Sequence, residues 1–177
     1  LSYSAQEKKF EIENQFMQES LDTGIKSYEP AQGIVPIGII GAGGFARIKL
    51  LPIIKNIKSA VIRSIIDIDM VNCINIARLY NASQISNNYH KILVDDSIKV
   101  VIISTPHALH AQQALDCLKA GKAVFVEKPA AITMAQLQQL EEFFSFNRPA
   151  LYCVDFNRSF SPFMLSIKEV IAQRANP

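Results

Sequence analysis

The chain has 177 residues, 49% of them hydrophobic and 19% charged, a length and composition suited to one domain with a sizeable core. Eighteen lysines and arginines stand against sixteen aspartates and glutamates, which leaves no electrostatic case for nucleic acid or an anionic membrane as partner. No apolar run reaches the ~18 residues of a membrane helix, and the N-terminal "LSYSAQEKKFEIENQF" is too charged for a signal peptide. Cys73, Cys117 and Cys153 lie far apart and form no CxxC pair, so buried thiols in a reducing, cytoplasmic setting are the expectation.

In chain order, residues 1–33 differ in pattern from the remainder of the chain. Phe10, Ile12, Phe16, Met17 and Leu21 give a weak helical stripe in a polar background, with Gly24 placed to end it. This stretch reads as a lead-in or as the tail of an upstream unit. From Ile34 strands and helices alternate. A strand over Val35–Ile40 runs into "GAGGFA", and a helix over 44–56 carries Pro52, which should kink it. "AVIRSIID" is a second strand ending at Asp67, and "MVNCINIARLYNA" a helix with Val71, Ile74, Ala77 and Leu79 near one face. A short strand near "SQIS" and a helix over "NYHKILVD" come next. "KVVIIST" is a near-continuous β-branched run, as in a strand buried on both faces of a parallel sheet. "ALHAQQALDCLKAG" is a helix stopped by Gly121, and "KAVFVEK" the fifth strand. Thr133 and Gln136 form a capping box for "MAQLQQLEEFFSF". "ALYCVDF" is a sixth strand, and Ser161 and Pro162 open a last helix that ends near Arg174.

Strands alternating with helices of this length mean βαβ units, and six of them fit an α/β, doubly wound parallel sheet of the Rossmann type. In that fold ligands bind at the carboxyl ends of the strands. Gly41, Gly43 and Ala46 fill the pattern G-x-G-x-x-G/A. The first glycine permits the turn, the second lets a pyrophosphate approach, and the small third residue lets helix and strand pack closely. Ala42, Gly44 and Phe45 complete the loop, whose adjoining helix N-terminus offers N–H groups to phosphate. Asp67 stands 67 − 46 = 21 positions beyond Ala46, close to the ~20 of a ribose-binding carboxylate. An acid there favours NAD over NADP, with NADP still possible; Asp69 offers the same chemistry nearby. A plain turn and a solvated strand-end acid are the structural alternatives.

Three later stretches also sit at strand ends: "STPHALHA" at 104–111, "EKP" at 127–129 and "DFNRSFSP" at 155–162. With the glycine loop they occur in the order and spacing of the glucose–fructose oxidoreductase/inositol dehydrogenase (Gfo/Idh/MocA) family, which residues 34–177 resemble. The resemblance implies an NAD(P)-dependent enzyme acting on sugars, cyclitols and their derivatives. It implies that Ser104, Thr105 and Pro106 border the nicotinamide half of the crevice, that Glu127 holds ribose hydroxyls, and that Lys128 is the catalytic donor to the reacting oxygen. Pro129 is placed for a sharp turn, with a cis bond as an option. His110 matches a family histidine near the nicotinamide, and Asn157 and Arg158 match a stretch bordering the site. Ser159 stands where relatives often have a second arginine. A metal at His107 and His110 is rejected, because no further ligands occur at a recognisable spacing.

The resemblance also implies a layout. Residues 34–158 form the dinucleotide domain, and 159–177 a helix leading to a second domain that this sequence does not contain. In the family that domain carries an aspartate–histidine acid–base pair, most substrate contacts and the usual oligomer interface. The expectation is a cofactor-binding half that turns over little alone. A non-catalytic NAD(H) sensor is the competing reading, and a methyltransferase-like domain a third.

Overall fold

The computed structural model describes residues 20–22, 32–149 and 151–174. The strands are β1 (Ser20–Asp22), β2 (Val35–Ile40), β3 (Ala60–Ile66), β4 (Gln84–Ser86), β5 (Val100–Ile103), β6 (Ala123–Glu127) and β7 (Tyr152–Asp155). They form one sheet in the order β1-β4-β3-β2-β5-β6-β7. The six strands from β2 onward are parallel to their neighbours, as the sequence predicts. After β2 the chain first builds outward to β3 and β4, then crosses back to β5 on the other side of β2. That reversal opens a crevice at the carboxyl ends of β2 and β5.

β1 is a seventh strand, antiparallel to β4, with Leu21 opposite Ile85. This corrects the helical stripe at Leu21; its other members, Phe10, Ile12, Phe16, Met17 and Gly24, lie outside the described residues. It also means that residues 20–22 of the lead-in contribute to the sheet. The physical reason is the edge of β4, whose free N–H and C=O groups take a partner strand. Three residues are too few to show a period of two.

The helices are α1 (Leu51–Lys55), α2 (Met70–Tyr80), α3 (His90–Leu93), α4 (His107–Lys119), α5 (Met134–Phe146) and α6 (Pro162–Ala172). A π-helical segment, Ala46–Leu50, leads into α1, and the Leu51 N–H donates to the Ala46 carbonyl five residues back. This wide turn, immediately before Pro52, is how the helix accommodates a proline that cannot donate. On α2 the buried residues are Cys73, Ile76 and Ala77. Val71 and Leu79, expected on the buried face, are exposed, because the stripe rotates toward Met70, Ile74 and Tyr80, which pack on the core. The predicted caps are present: Thr133 accepts from the Gln136 N–H, Ser161 from the Met164 N–H, and Gly121 has φ +74°.

Two apolar layers sandwich the sheet. Ile37, Ile39, Ile62 and Ile65 pack with α1 and α2 on one face. Ile40, Val101, Ile103, Val124 and Val126 pack with Ala114, Cys117 and Leu118 of α4 on the other. Cys73 and Cys117 are buried as expected, but Cys153 is exposed; it sits on edge strand β7, outside both layers. Among the described residues no helix is long and apolar enough to cross a membrane.

Candidate cofactor site

The crevice is built from the residues just beyond each strand. Gly41 ends β2 with φ +89°, and a Cβ there would lie 2.7 Å from the backbone of Ser104 and Thr105. Only glycine lets the two strand ends approach so closely. Ser104 Oγ then donates to the Gly41 carbonyl at 2.6 Å. At Gly43 and Gly44 a Cβ would meet nothing within 4 Å. Their bareness serves no packing need of the chain itself, which is the condition for a ligand's close approach. Ala46 is fully buried, so the start of the first helix is held against the sheet as the motif requires.

Asp67 lies at the rim of this loop, and its carboxylate already has partners. Oδ2 accepts from the Ala42 N–H at 2.6 Å and Oδ1 from the Asp69 N–H at 3.0 Å. The Asn72 amide donates to the Ala42 carbonyl at 2.9 Å. Asp67 and Asn72 thus clamp both polar groups of Ala42, a function that sequence reasoning missed. Each Asp67 oxygen keeps a free lone pair for a hydroxyl. Asp69, the alternative acid, is occupied as the N-cap of α2, accepting from the Asn72 N–H.

On the other side of the loop, Pro106 precedes α4. The Thr105 hydroxyl donates to Gln113 Oε1 at 2.6 Å. His110 is fully buried, with Nε2 2.7 Å from the Thr105 carbonyl and Nδ1 2.9 Å from the Pro129 carbonyl. It therefore lies behind the wall and ties its two loops together, rather than lining the crevice. Lys128–Pro129 is a cis peptide bond.

Glu127 and Asp155 are paired in register at the ends of β6 and β7. Glu127 is 8% exposed and its Oε1 has no hydrogen-bond partner. Burial first, then the adjacent Asp155, push its carboxyl up to about 7. Beside the pair, Lys128, Asp155, Asn157 and Arg158 line a cavity of about 330 Å³ together with Phe156 and Ser159. The structure thereby brings three predicted residues, Lys128, Asn157 and Arg158, around one space. Asp155 was not singled out from sequence. Its one available signal was its place as a second strand-end acid.

The site residues form a row along the carboxyl edge: Asp67 after β3, Gly41–Ala46 after β2, Ser104–Pro106 after β5, Glu127–Lys128 at β6, and Asp155–Arg158 at β7. Four strand spacings of ~4.8 Å make the row ~19 Å long, enough for an extended dinucleotide. The orphaned Glu127 Oε1, the open glycines and the rim acid fit such a ligand.

Residues 35–148 match the family GFO_IDH_MocA, described as an oxidoreductase family with an NAD-binding Rossmann fold. A 4-carboxy-2-hydroxymuconate-6-semialdehyde dehydrogenase from Sphingobium sp. is 34% identical over 127 residues, covering 71% of this chain and 39% of the relative. An inositol 2-dehydrogenase from Salmonella typhimurium is 34% identical over 85 residues, covering 48% of this chain and 25% of the relative. Among solved structures, apo scyllo-inositol dehydrogenase from Lactobacillus casei superposes with a TM-score of 0.75 at 22% identity, over 81% of this chain and 42% of that one; at that identity the likeness is one of fold. This chain spans less than half the length of each of these relatives.

Proposed function

This chain belongs to the Gfo/Idh/MocA oxidoreductase family, whose Rossmann fold binds NAD, and from that premise we propose that it is the cofactor-binding half of a dehydrogenase or reductase acting on a sugar- or cyclitol-like alcohol or carbonyl. The observation that carries the reading is the unbroken row from Asp67 to Arg158 along one sheet edge. A pyrophosphate belongs at the glycine loop, where the backbone is bare and a helix begins. With the adenosine ribose on the Asp67 side, the other half of the dinucleotide must run over β5, β6 and β7.

The bound nicotinamide supplies the hydride acceptor or donor. The chain's own residues bind, orient and supply charge. Asp67 accepts from ribose hydroxyls and repels a 2′-phosphate, which favours NAD. The Thr105–Pro106 backbone and Glu127 position the second ribose and ring. Lys128 faces the cavity beside Asn157 and Arg158 and donates to the substrate oxygen, where negative charge develops. His110 holds the two loops that carry Thr105 and Lys128 in register.

The second domain is part of the proposal. Phe156, which lines the cavity, and Phe160 and Phe163 further along the chain are 60%, 77% and 76% exposed, and α6 has no buried residue. An apolar surface of that kind is what a covering domain would take up. That domain would supply the remaining acid–base groups and any oligomer interface, so this chain alone turns over little. Cytoplasmic action suits its three free cysteines.

The test is titration of this chain with NADH and separately with NADPH, read by nicotinamide fluorescence; the chain has no tryptophan to interfere. Saturable binding, tighter for NADH, is expected. Tighter NADPH binding would remove Asp67 from its role as discriminator. A full-length parent that binds NADH yet reduces or oxidises no polyol would favour the sensor reading.

A further inference from the structure

We propose that Glu127 and Asp155 form one proton-sharing carboxyl pair that reads the charge of the bound dinucleotide, giving up its proton beside an oxidised nicotinamide and keeping it beside a reduced one. The inference rests on the cofactor placement proposed above, and concerns a role of the pair beyond holding ribose.

β6 and β7 are parallel and Glu127 is the in-register partner of Asp155, so both side chains leave the same face of the sheet at adjacent strand ends. Glu127 is buried and its Oε1 has no donor. Two carboxylates at adjacent strand ends, one of them buried, do not both ionise readily, and a single proton shared between them relieves that repulsion. Proton loss from Glu127 near pH 7 agrees with this arrangement, burial being the larger cause and Asp155 the second.

Among the described residues, the other charged or titratable groups around the pair are few. Lys128 adjoins Glu127 directly, and its backbone N–H and charge both favour the ionised carboxyl. Arg158 comes from the 3₁₀ turn Asn157–Phe160 and lines the same cavity as Asp155. Cys153 lies two residues inward on β7 and is exposed. Lys168 of α6 is tied to the Ser159 carbonyl at 3.2 Å. His110 of α4 reaches this turn only through the Pro129 carbonyl.

An oxidised nicotinamide carries a positive charge and a reduced one does not. A cation near the pair favours its ionised form. Below about pH 7 the pair holds its proton, which must leave for the oxidised dinucleotide to bind best; above it the proton is already gone. Affinity for NAD+ therefore rises with pH through this interval, and affinity for NADH stays level. By linkage, the pair takes a proton back when the ring is reduced, which is where one proton released by oxidation of an alcohol can go.

The experiment measures Kd for NAD+ and NADH between about pH 6 and about pH 8 by calorimetry, in buffers of different ionisation enthalpy that count the protons exchanged. For the wild-type chain, NAD+ is expected to bind about fivefold tighter at the upper end, for a one-unit downward shift in the pair, with proton release on binding and no trend for NADH. Glu127→Gln should flatten the NAD+ profile. Asp155→Asn should move its midpoint to lower pH, because the like charge is gone. Parallel profiles for NAD+ and NADH, or an unmoved midpoint in Asp155→Asn, overturn the proposal. Carboxyl ¹³C resonances of the ligand-free chain separate the two layers of the inference. A Glu127 that titrates as an ordinary carboxylate overturns the pair even if both dinucleotides bind. A Glu127 that titrates near 7, in a chain that binds neither dinucleotide, overturns the cofactor reading and with it the charge-reading role.

Discussion

Replacing Gly41 by alanine should remove a large share of the folding stability, and the reason is local geometry rather than ligand binding. The residue has φ +89°, a conformation that costs a residue with a Cβ about 1–2 kcal/mol. The new methyl would sit 2.7 Å from the Ser104 carbonyl carbon and the Thr105 nitrogen, against an ordinary carbon contact of about 3.5–4.0 Å. Both are backbone atoms of the turn between β5 and α4 and cannot rotate away. Forcing them apart resembles overpacking, about 1–3 kcal/mol, and strains the bond from Ser104 Oγ to the Gly41 carbonyl, worth about 1 kcal/mol. The sum is about 3–6 kcal/mol against a total stability on the order of 5–15 kcal/mol. Urea denaturation followed by far-ultraviolet circular dichroism measures it. Gly43→Ala is the control, since its methyl meets nothing within 4 Å and stability should stay within about 1 kcal/mol of wild type. Dinucleotide affinity, in contrast, should fall in both. If Gly41→Ala is as stable as wild type, or Gly43→Ala as unstable as Gly41→Ala, the division between turn glycine and ligand-facing glycine is wrong.

Asp67→Ala should lose the acceptor for the Ala42 N–H, lower stability by about 1–3 kcal/mol and narrow the preference for NADH over NADPH in the fluorescence titration; an unchanged preference leaves Asp67 with the loop-clamping role alone. Gly38→Ala would bring a methyl to 2.8 Å from Ile92 Cδ1 and should cost about 1–3 kcal/mol, part of it recovered by adding Ile92→Val, because the obstructing atom is a side-chain tip; no recovery in the double variant would place the strain elsewhere. In a native-state thiol assay at mildly alkaline pH, Cys153 should react promptly, while Cys73 and Cys117 should react only on unfolding. Burial above all, with help from Asp67 at Cys73 and Asp116 at Cys117, pushes both buried thiols up to about 12. The folded form keeps these protons when the unfolded chain has lost them, so their contribution is complete below the ordinary thiol value of 9.0 and drains away as pH climbs toward about 12. A urea midpoint indifferent to that climb would contradict their burial.

The sequence alone determined the element order from Val35 to the last helix, the glycine loop, the caps at Thr133 and Ser161 and the stop at Gly121. These depend on residues within a few positions of one another: periodic burial, a side chain bonding an N–H three residues on, a backbone angle open to glycine. The family motifs were legible for the same reason, being short strings at strand ends. Tertiary structure decided what depends on partners distant in the chain. β1 became a strand because the β4 edge was open to pairing, and nothing within residues 20–22 says so. Asp67 became a clamp because Ala42, 25 residues away, came to lie over it. His110 went behind the crevice because Thr105 and Pro129 offered carbonyls on either side of it. Glu127 met Asp155 only through the register of β6 against β7, which the whole sheet sets. Local preferences specify conformation, but proximity between distant residues exists only after the sheet has assembled.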